Sequence, residues 1–302
     1  MRRFLLACSL TVLPLVPALG QVPDGDAVCA ELFESLGAIE TTDKTTIESI
    51  ESGCRLTNGY VELQSPMQIH FDELTLTGGD ALAALSESRL PATLEVKGTN
   101  VRLRPRMDDA LFDYLFDQQA MLYDFGFSLR WDEASGALDI EDFSVASPYI
   151  GRIAMRASFS DANLEDLREA VLQPTALGRL ENLHLLLEDR GLFAAFAVMP
   201  LANLLPSSDD PEALVERYRQ IGKDMISSLP ATVASDETKE VLTQFLDELP
   251  HPTGIYAVEA KADPAVGMED LGAGPFMLLN RLSIEARYME TDIGLQSLDM
   301  DF

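Results

Sequence analysis

At 302 residues the chain can bury a large core, as one extended domain or as two packed lobes. Its 50 acidic and 22 basic side chains leave a net charge of −28. Such a surface repels phosphate backbones and anionic headgroups, so it argues against nucleic acid as a partner and favours solubility.

Residues 1–20 have the grammar of a secretory signal peptide: the basic pair Arg2-Arg3, an apolar run from Phe4 to Val16 interrupted by Pro14, and small residues in Ala18-Leu19-Gly20. Cleavage before Gln21 is expected, which places the mature chain in the periplasm or outside the cell. The apolar run is short for a bilayer span, so no transmembrane anchor is expected after cleavage. Cys29 and Cys54 then remain, and two cysteines in an exported chain are expected to pair as a disulfide.

Asp26 is placed to cap a short helix running through Ile39, with Leu32, Phe33, Leu36 and Ile39 at helical spacing. The polar run Thr41 to Ser52 reads as a connection to Cys54. The first sheet is expected to begin near Tyr60 and to run through Met67, Ile69 and Phe71 to Gly78-Gly79. Leu94 and Val96 resume the alternation, Gly98 marks a bulge, and Val101 and Leu103 finish before Pro105. Asp108-Asp109 opens a helix with the apolar stripe Leu111, Phe112, Leu115, Phe116 and Leu122.

Three consecutive antiparallel strands are expected between Phe127 and Phe159. Phe127, Leu129 and Trp131 alternate with polar residues, Asp132 to Gly136 supplies a turn, Leu138 and Ile140 carry the second strand, and Ile153, Met155, Ala157 and Phe159 alternate along the third. Within the second strand Ile140 and Phe143 are three apart, a phase slip that predicts a β-bulge. A helix over Asn163 to Gln173 and a strand over Leu180 to Glu188 come next.

From Arg190 to Leu249 the period becomes helical. Gly191 to Leu205 is apolar nearly all round, which predicts a buried helix or an interface with something apolar. Pro211 stands near the start of a helix carrying Leu214, Tyr218, Ile221 and Met225, and Phe245 and Leu249 belong to another. After Pro250-His251-Pro252 the alternation returns over Ile255 to Ala262, Leu282 to Tyr288 and Leu295 to Phe302. The expected class is α+β: a twisted, bulged, mainly antiparallel sheet built from residues 21–189 and 251–302, with a helical insertion at 190–250 packed on one face.

The slipped phrase recurs. Phe71-Asp72-Glu73-Leu74-Thr75-Leu76 reads as Ile140-Glu141-Asp142-Phe143-Ser144-Val145 does, and Leu180 to Leu185, Leu279 to Ile284 and Leu295 to Met300 keep the spacing. Internal duplication and several unrelated bulged strands both produce such a pattern. With Gly136-Ala137-Leu138 leading into it, the phrase resembles the strand units of AsmA-like envelope proteins and of uncharacterised exported proteins of Gram-negative bacteria. That resemblance implies a long twisted sheet curled into a groove, with lipid movement across the envelope among the roles. It covers Tyr60 to Asp161 and the C-terminal strands, and it carries over no site residue.

Local signatures for chemistry are missing. His70, His184 and His251 are not spaced as a metal pair, there is no phosphate-binding glycine loop, and no hydrolase elbow occurs. No cofactor and no metal are expected. Asp72-Glu73, Glu141-Asp142 and Asp209-Asp210 are adjacent carboxylates, which regular strands would direct to opposite faces. Arg130, Arg152 and Arg156 fall on one polar face and form a candidate anion site, or else pair across strands with Asp139 or Glu141. The functional expectation is a non-enzymatic exported protein that binds an apolar ligand or an envelope partner. The alternatives are an acidic adaptor for a basic protein and an enzyme whose site only the fold assembles.

Overall fold

In the computed structural model the described residues are 25–35, 39–40, 44–62, 67–81, 83, 91–105, 111, 114–116, 121–163, 174–198, 206, 210–267, 270 and 281–290. They form one open antiparallel sheet of eleven strands with helices at its margins. The strands are β1 (Ile39–Glu40), β2 (Thr46–Ile50), β3 (Gly53–Glu62), β4 (Met67–Thr77), β5 (Thr93–Pro105) and β6 (Tyr123–Asp132). There follow β7 (Ala137–Ser147), β8 (Gly151–Ser160), β9 (Arg179–Asp189), β10 (Gly254–Gly267) and β11 (Leu282–Met289). From β3 onward each strand pairs with the next in sequence, and β1 and β2 share the outer side of β3. Helix α1 (Gly25–Ser35) precedes the sheet, and α2 (Leu192–Phe196), α3 (Pro211–Ser227) and α4 (Asp236–Glu248) lie between β9 and β10. The antiparallel, mixed α+β character expected from the sequence is observed.

Three expectations near the N-terminus fail. Helix α1 ends at Ser35, and Ile39 opens β1 opposite Val61. The polar run Thr41 to Ser52 contains β2, where Thr46, Ile47 and Ile50 supply β-branched residues and the polar side chains between them face solvent. The strand expected to begin near Tyr60 begins at Gly53, where Cys54 and Leu56 already alternate with Arg55 and Thr57. The leader at residues 1–20, all of the helix expected over Asn163 to Gln173 except Asn163 itself, and the strand over Leu295 to Phe302 lie outside the described residues. So do most of the helix from Asp108 and much of Gly191 to Leu205.

The phase slips are real discontinuities in pairing. The register shifts between Ile140 and Phe143 on β7, between Gly98 and Val101 on β5, and between Ser158 and Phe159 where β8 meets β9. Asn58 and Asn100 hold positive φ values of 53° and 50° on β3 and β5, beside Asp72-Glu73 of β4, where the pairing keeps one register on both sides. The shift on β7 overturns the opposite-face reading for Glu141-Asp142, while Asp209 of the pair Asp209-Asp210 lies outside the described residues. Asp72 pairs with Arg102 and Glu73 with Arg55, while Glu141 pairs with Arg130 and Asp142 accepts the Ser144 hydroxyl. At a slip two consecutive residues share the polar face, and each acid there finds a donor.

Both margins of the sheet are closed by groups ahead of or within a helix. On one side the Ser49 amide of β2 donates to Asp26 of α1 over 2.6 Å. On the other, the Ile284 amide of β11 donates to the Val233 carbonyl at 2.6 Å, and the Ala286 amide donates to Thr238 Oγ1 at 3.3 Å. Occupied amides leave fewer free donors for another chain's strand to pair with.

Candidate functional site

Cross-strand register turns the alternation of single strands into one continuous surface. Cys54, Leu76, Val96, Phe127, Phe143, Met155, Leu185, Val258 and Ala286 stand directly opposite one another from β3 to β11. On the other face Arg130, Asp139, Ser158, Asn182, Lys261 and Ser283 make an equally continuous polar row. The molecule is thus organised around a sheet with one greasy side and one charged side.

Helices cover the greasy side at its two ends. Leu32 and Phe33 of α1 bury Cys54, Leu56, Phe71 and Leu76, and the Cys29–Cys54 disulfide, with Cα atoms 5.6 Å apart, pins the helix there. At the far end Leu192 and Phe193 of α2 and Val241 and Phe245 of α4 cover Leu187, Tyr256 and Tyr288. Phe245 packs edge-on against both Phe193 and Tyr256, with centroids 5.6 and 5.0 Å away. Between these ends the burial falls. Phe127, Phe143, Met155, Leu185 and Val258 are only half-buried, whereas Cys54, Leu76 and Ala286 at the ends of the same row are buried. Phe125 meets Phe143 edge-on at 6.0 Å within a central apolar strip over β6 to β10 that is, among the described residues, less buried than its ends, although Phe196 of α2 reaches Tyr123 of β6 edge-on at 5.6 Å.

Trp131 sits at one margin of that strip, buried with Leu129, Leu138 and Ala162 beside Phe127 and Phe159. Its indole Nε1 is buried with no hydrogen-bond partner. A buried donor left unpaired costs about 1–3 kcal/mol. Neither the strip nor the indole was singled out from the sequence. The alternation showed which side chains share a face, but the coverage of that face depends on where distant helices land.

The arginines of the candidate anion site lie on the polar side. Arg130 is engaged by Glu141 at 2.6 Å and Asp139 at 3.6 Å. Arg152 and Arg156 are exposed on β8, opposite Glu188 and His184 respectively. Glu188 pairs with Arg190 at 2.8 Å. The three histidines do not meet: His70 stacks on Tyr60, His184 lies 3.9 Å from Glu259, and His251 occupies the loop after α4.

Two polar groupings accompany the helices. Glu248 at the end of α4 accepts from the Thr253 amide, Gln244 and the Tyr256 hydroxyl. Burial raises the Tyr256 hydroxyl far above its ordinary value, with the Glu248 carboxylate adding to it. Burial works against the ionised Glu248, but its three donors outweigh that and hold the carboxyl below the usual range. A groove of about 670 Å³ runs along α4, lined by Ser227 of α3 and by Asp236, Lys239, Glu240, Thr243, Gln244, Asp247 and Glu248. Among the described residues no three metal-ligating side chains gather, and no helix is long and apolar enough to cross a membrane. Comparison with protein-family models, curated proteins and solved structures finds no match to this chain.

Proposed function

We propose that this is an exported, non-enzymatic protein that holds an acyl chain or similar apolar ligand against the central strip of its sheet. The observation that carries the reading is the contrast along one register row, buried at Cys54, Leu76 and Ala286 but half-buried from Phe127 to Val258. An apolar surface of that kind gains roughly 25 cal/mol for each Å² removed from water, which a flexible hydrocarbon chain can exploit without directed contacts. Trp131, buried at the margin of the strip beside Phe127 and Phe159, lies where an occupant of the strip would alter its surroundings. The resemblance of the strand phrase to AsmA-like envelope proteins favours a lipid as the source of that chain.

The chain contains one tryptophan, so Trp131 is also the reporter. Titration with oleate should shift its emission in a saturable way, and solvent extraction of the purified protein followed by mass spectrometry should recover lipid. Phe143→Asp, on the strip but away from the helix-covered ends, should weaken oleate binding by an order of magnitude or more. No extracted lipid together with an emission spectrum indifferent to oleate sinks the reading.

A further inference from the structure

Helix α3 exposes an apolar stripe that the fold itself does not use. Tyr218, Ile221 and Met225 are 44%, 43% and 51% exposed, and Leu214 extends the stripe by a turn at half-burial. Their spacings of four, three and four are those of a helix–helix seam. The side of α3 that packs on the protein is a different one. Gly222 lets the helix approach Leu246 of α4 closely, and Arg219 donates to the Leu246 and Leu249 carbonyls at 3.1 and 3.0 Å, closing the end of α4.

We infer that the α3 stripe is the contact surface for a second copy of this chain, packed antiparallel about a two-fold axis. The stripe is complementary to itself in that orientation. An axis crossing α3 between Arg219 and Gln220 sets Tyr218 against Ile221 of the other copy, and Leu214 against Met225. It also brings Arg217, which forms no ion pair among the described residues, towards Asp224 of the other copy, whose carboxylate accepts from Gln220 at 2.8 Å. A parallel pairing would leave Arg217 and Asp224 unmatched.

Charge singles out this helix for self-association. Glu212, Glu216 and Asp224 on α3 are balanced by Arg217, Arg219 and Lys223, so the helix is neutral in a chain of net charge −28. By contrast α4 carries five acids and one lysine, and α1 carries three acids and no base. Two strongly acidic copies repel least where each is locally neutral. A seam of three or four turns buries less than the ~1,200 Å² of standard stable interfaces, so the dimer belongs to the weak, concentration-dependent class.

Sedimentation velocity of the full chain, from micromolar to near-millimolar concentration, tests this. The expected result is a monomer that becomes a dimer within that range, and a monomer throughout for Ile221→Glu with an unchanged unfolding temperature. Arg217→Asp and Asp224→Arg should each weaken the dimer by roughly tenfold, since each places like charges opposite one another twice, and the double exchange should restore it. A wild type that stays monomeric, a dimer untouched by Ile221→Glu, or a double exchange no better than the single ones would overturn the inference. So would a monomer that floats with phosphatidylcholine vesicles through the same stripe.

Discussion

The Tyr256 hydroxyl donates a 2.8 Å hydrogen bond to Glu248 Oε2, fastening the C-terminal end of α4 to the face of β10. Glu248 also accepts from Thr253, so one carboxylate holds both the helix and the loop leading back into the sheet.

That bond has a pH signature at both ends. Glu248 is held below its ordinary range in the fold by its hydrogen bonds, against the opposing effect of burial. Its contribution is therefore full above the unfolded-state value of about 4.3 and is lost as pH falls through the lower folded-state value. Tyr256 is pushed up, first by burial and then by Glu248, so its contribution is full below about pH 10 and declines as pH rises beyond that. Urea midpoints measured across pH should show Glu248→Gln flattening the acid arm and Tyr256→Phe flattening the alkaline arm. An alkaline arm of equal slope in wild type and Tyr256→Phe would assign that loss to other groups.

The Cys29–Cys54 bond joins residues 25 apart in sequence and lies in a fully buried cluster. Reduction, or replacement of both cysteines by alanine, should lower stability by roughly 3 kcal/mol on the chain-entropy model. Urea unfolding with and without reductant reads this directly. A loss confined to α1, with β3 and β4 still protected from hydrogen exchange, would mean that the bond anchors the helix and not the sheet.

Thr238 is 3% exposed and its hydroxyl accepts from the Ala286 amide. Thr238→Val keeps the shape and removes the acceptor, leaving a β11 amide unsatisfied at a cost of about 1–3 kcal/mol. Hydrogen exchange at Ala286 should accelerate well beyond that at Val258, which stands opposite it on β10. Unchanged exchange at Ala286 would show that its amide does not rely on this hydroxyl.

Leu185 and Leu187 lie two apart on the apolar side of β9, the first half-buried and the second 8% exposed beneath α2. Leu187→Ala should cost about 2–4 kcal/mol, in the range of a core truncation, and Leu185→Ala appreciably less. Oleate binding should respond in the reverse order, with Leu185→Ala the more damaging. Equal stability losses would mean that the central strip is as well covered as its ends.

Much of this molecule was legible in one dimension because a strand's side chains alternate with a period of two. Phe127 to Phe159 read correctly as three strands, and the three-residue step from Ile140 to Phe143 located a bulge. Pro211 marked the start of α3, where Asp210 caps the helix by accepting the Ala213 amide. The pairing of Cys29 with Cys54 followed from there being two cysteines after the expected cleavage. Strand β2 escaped notice because an edge strand wetted by solvent shows no apolar period.

Periodicity assigns a residue to a face but is silent on what lies over that face. Whether Leu185 or Leu187 is covered depends on α2 and α4, which bury Leu187 and leave Leu185 half-buried. The shared orientation of Glu141 and Asp142 likewise needed the bulge to be placed against its neighbours, since two residues then oppose one. Local chemistry in the chain set the alternation, the charge and the turns; long-range packing alone determined which part of the apolar side was left half-buried, because that depends on contacts between segments far apart in sequence.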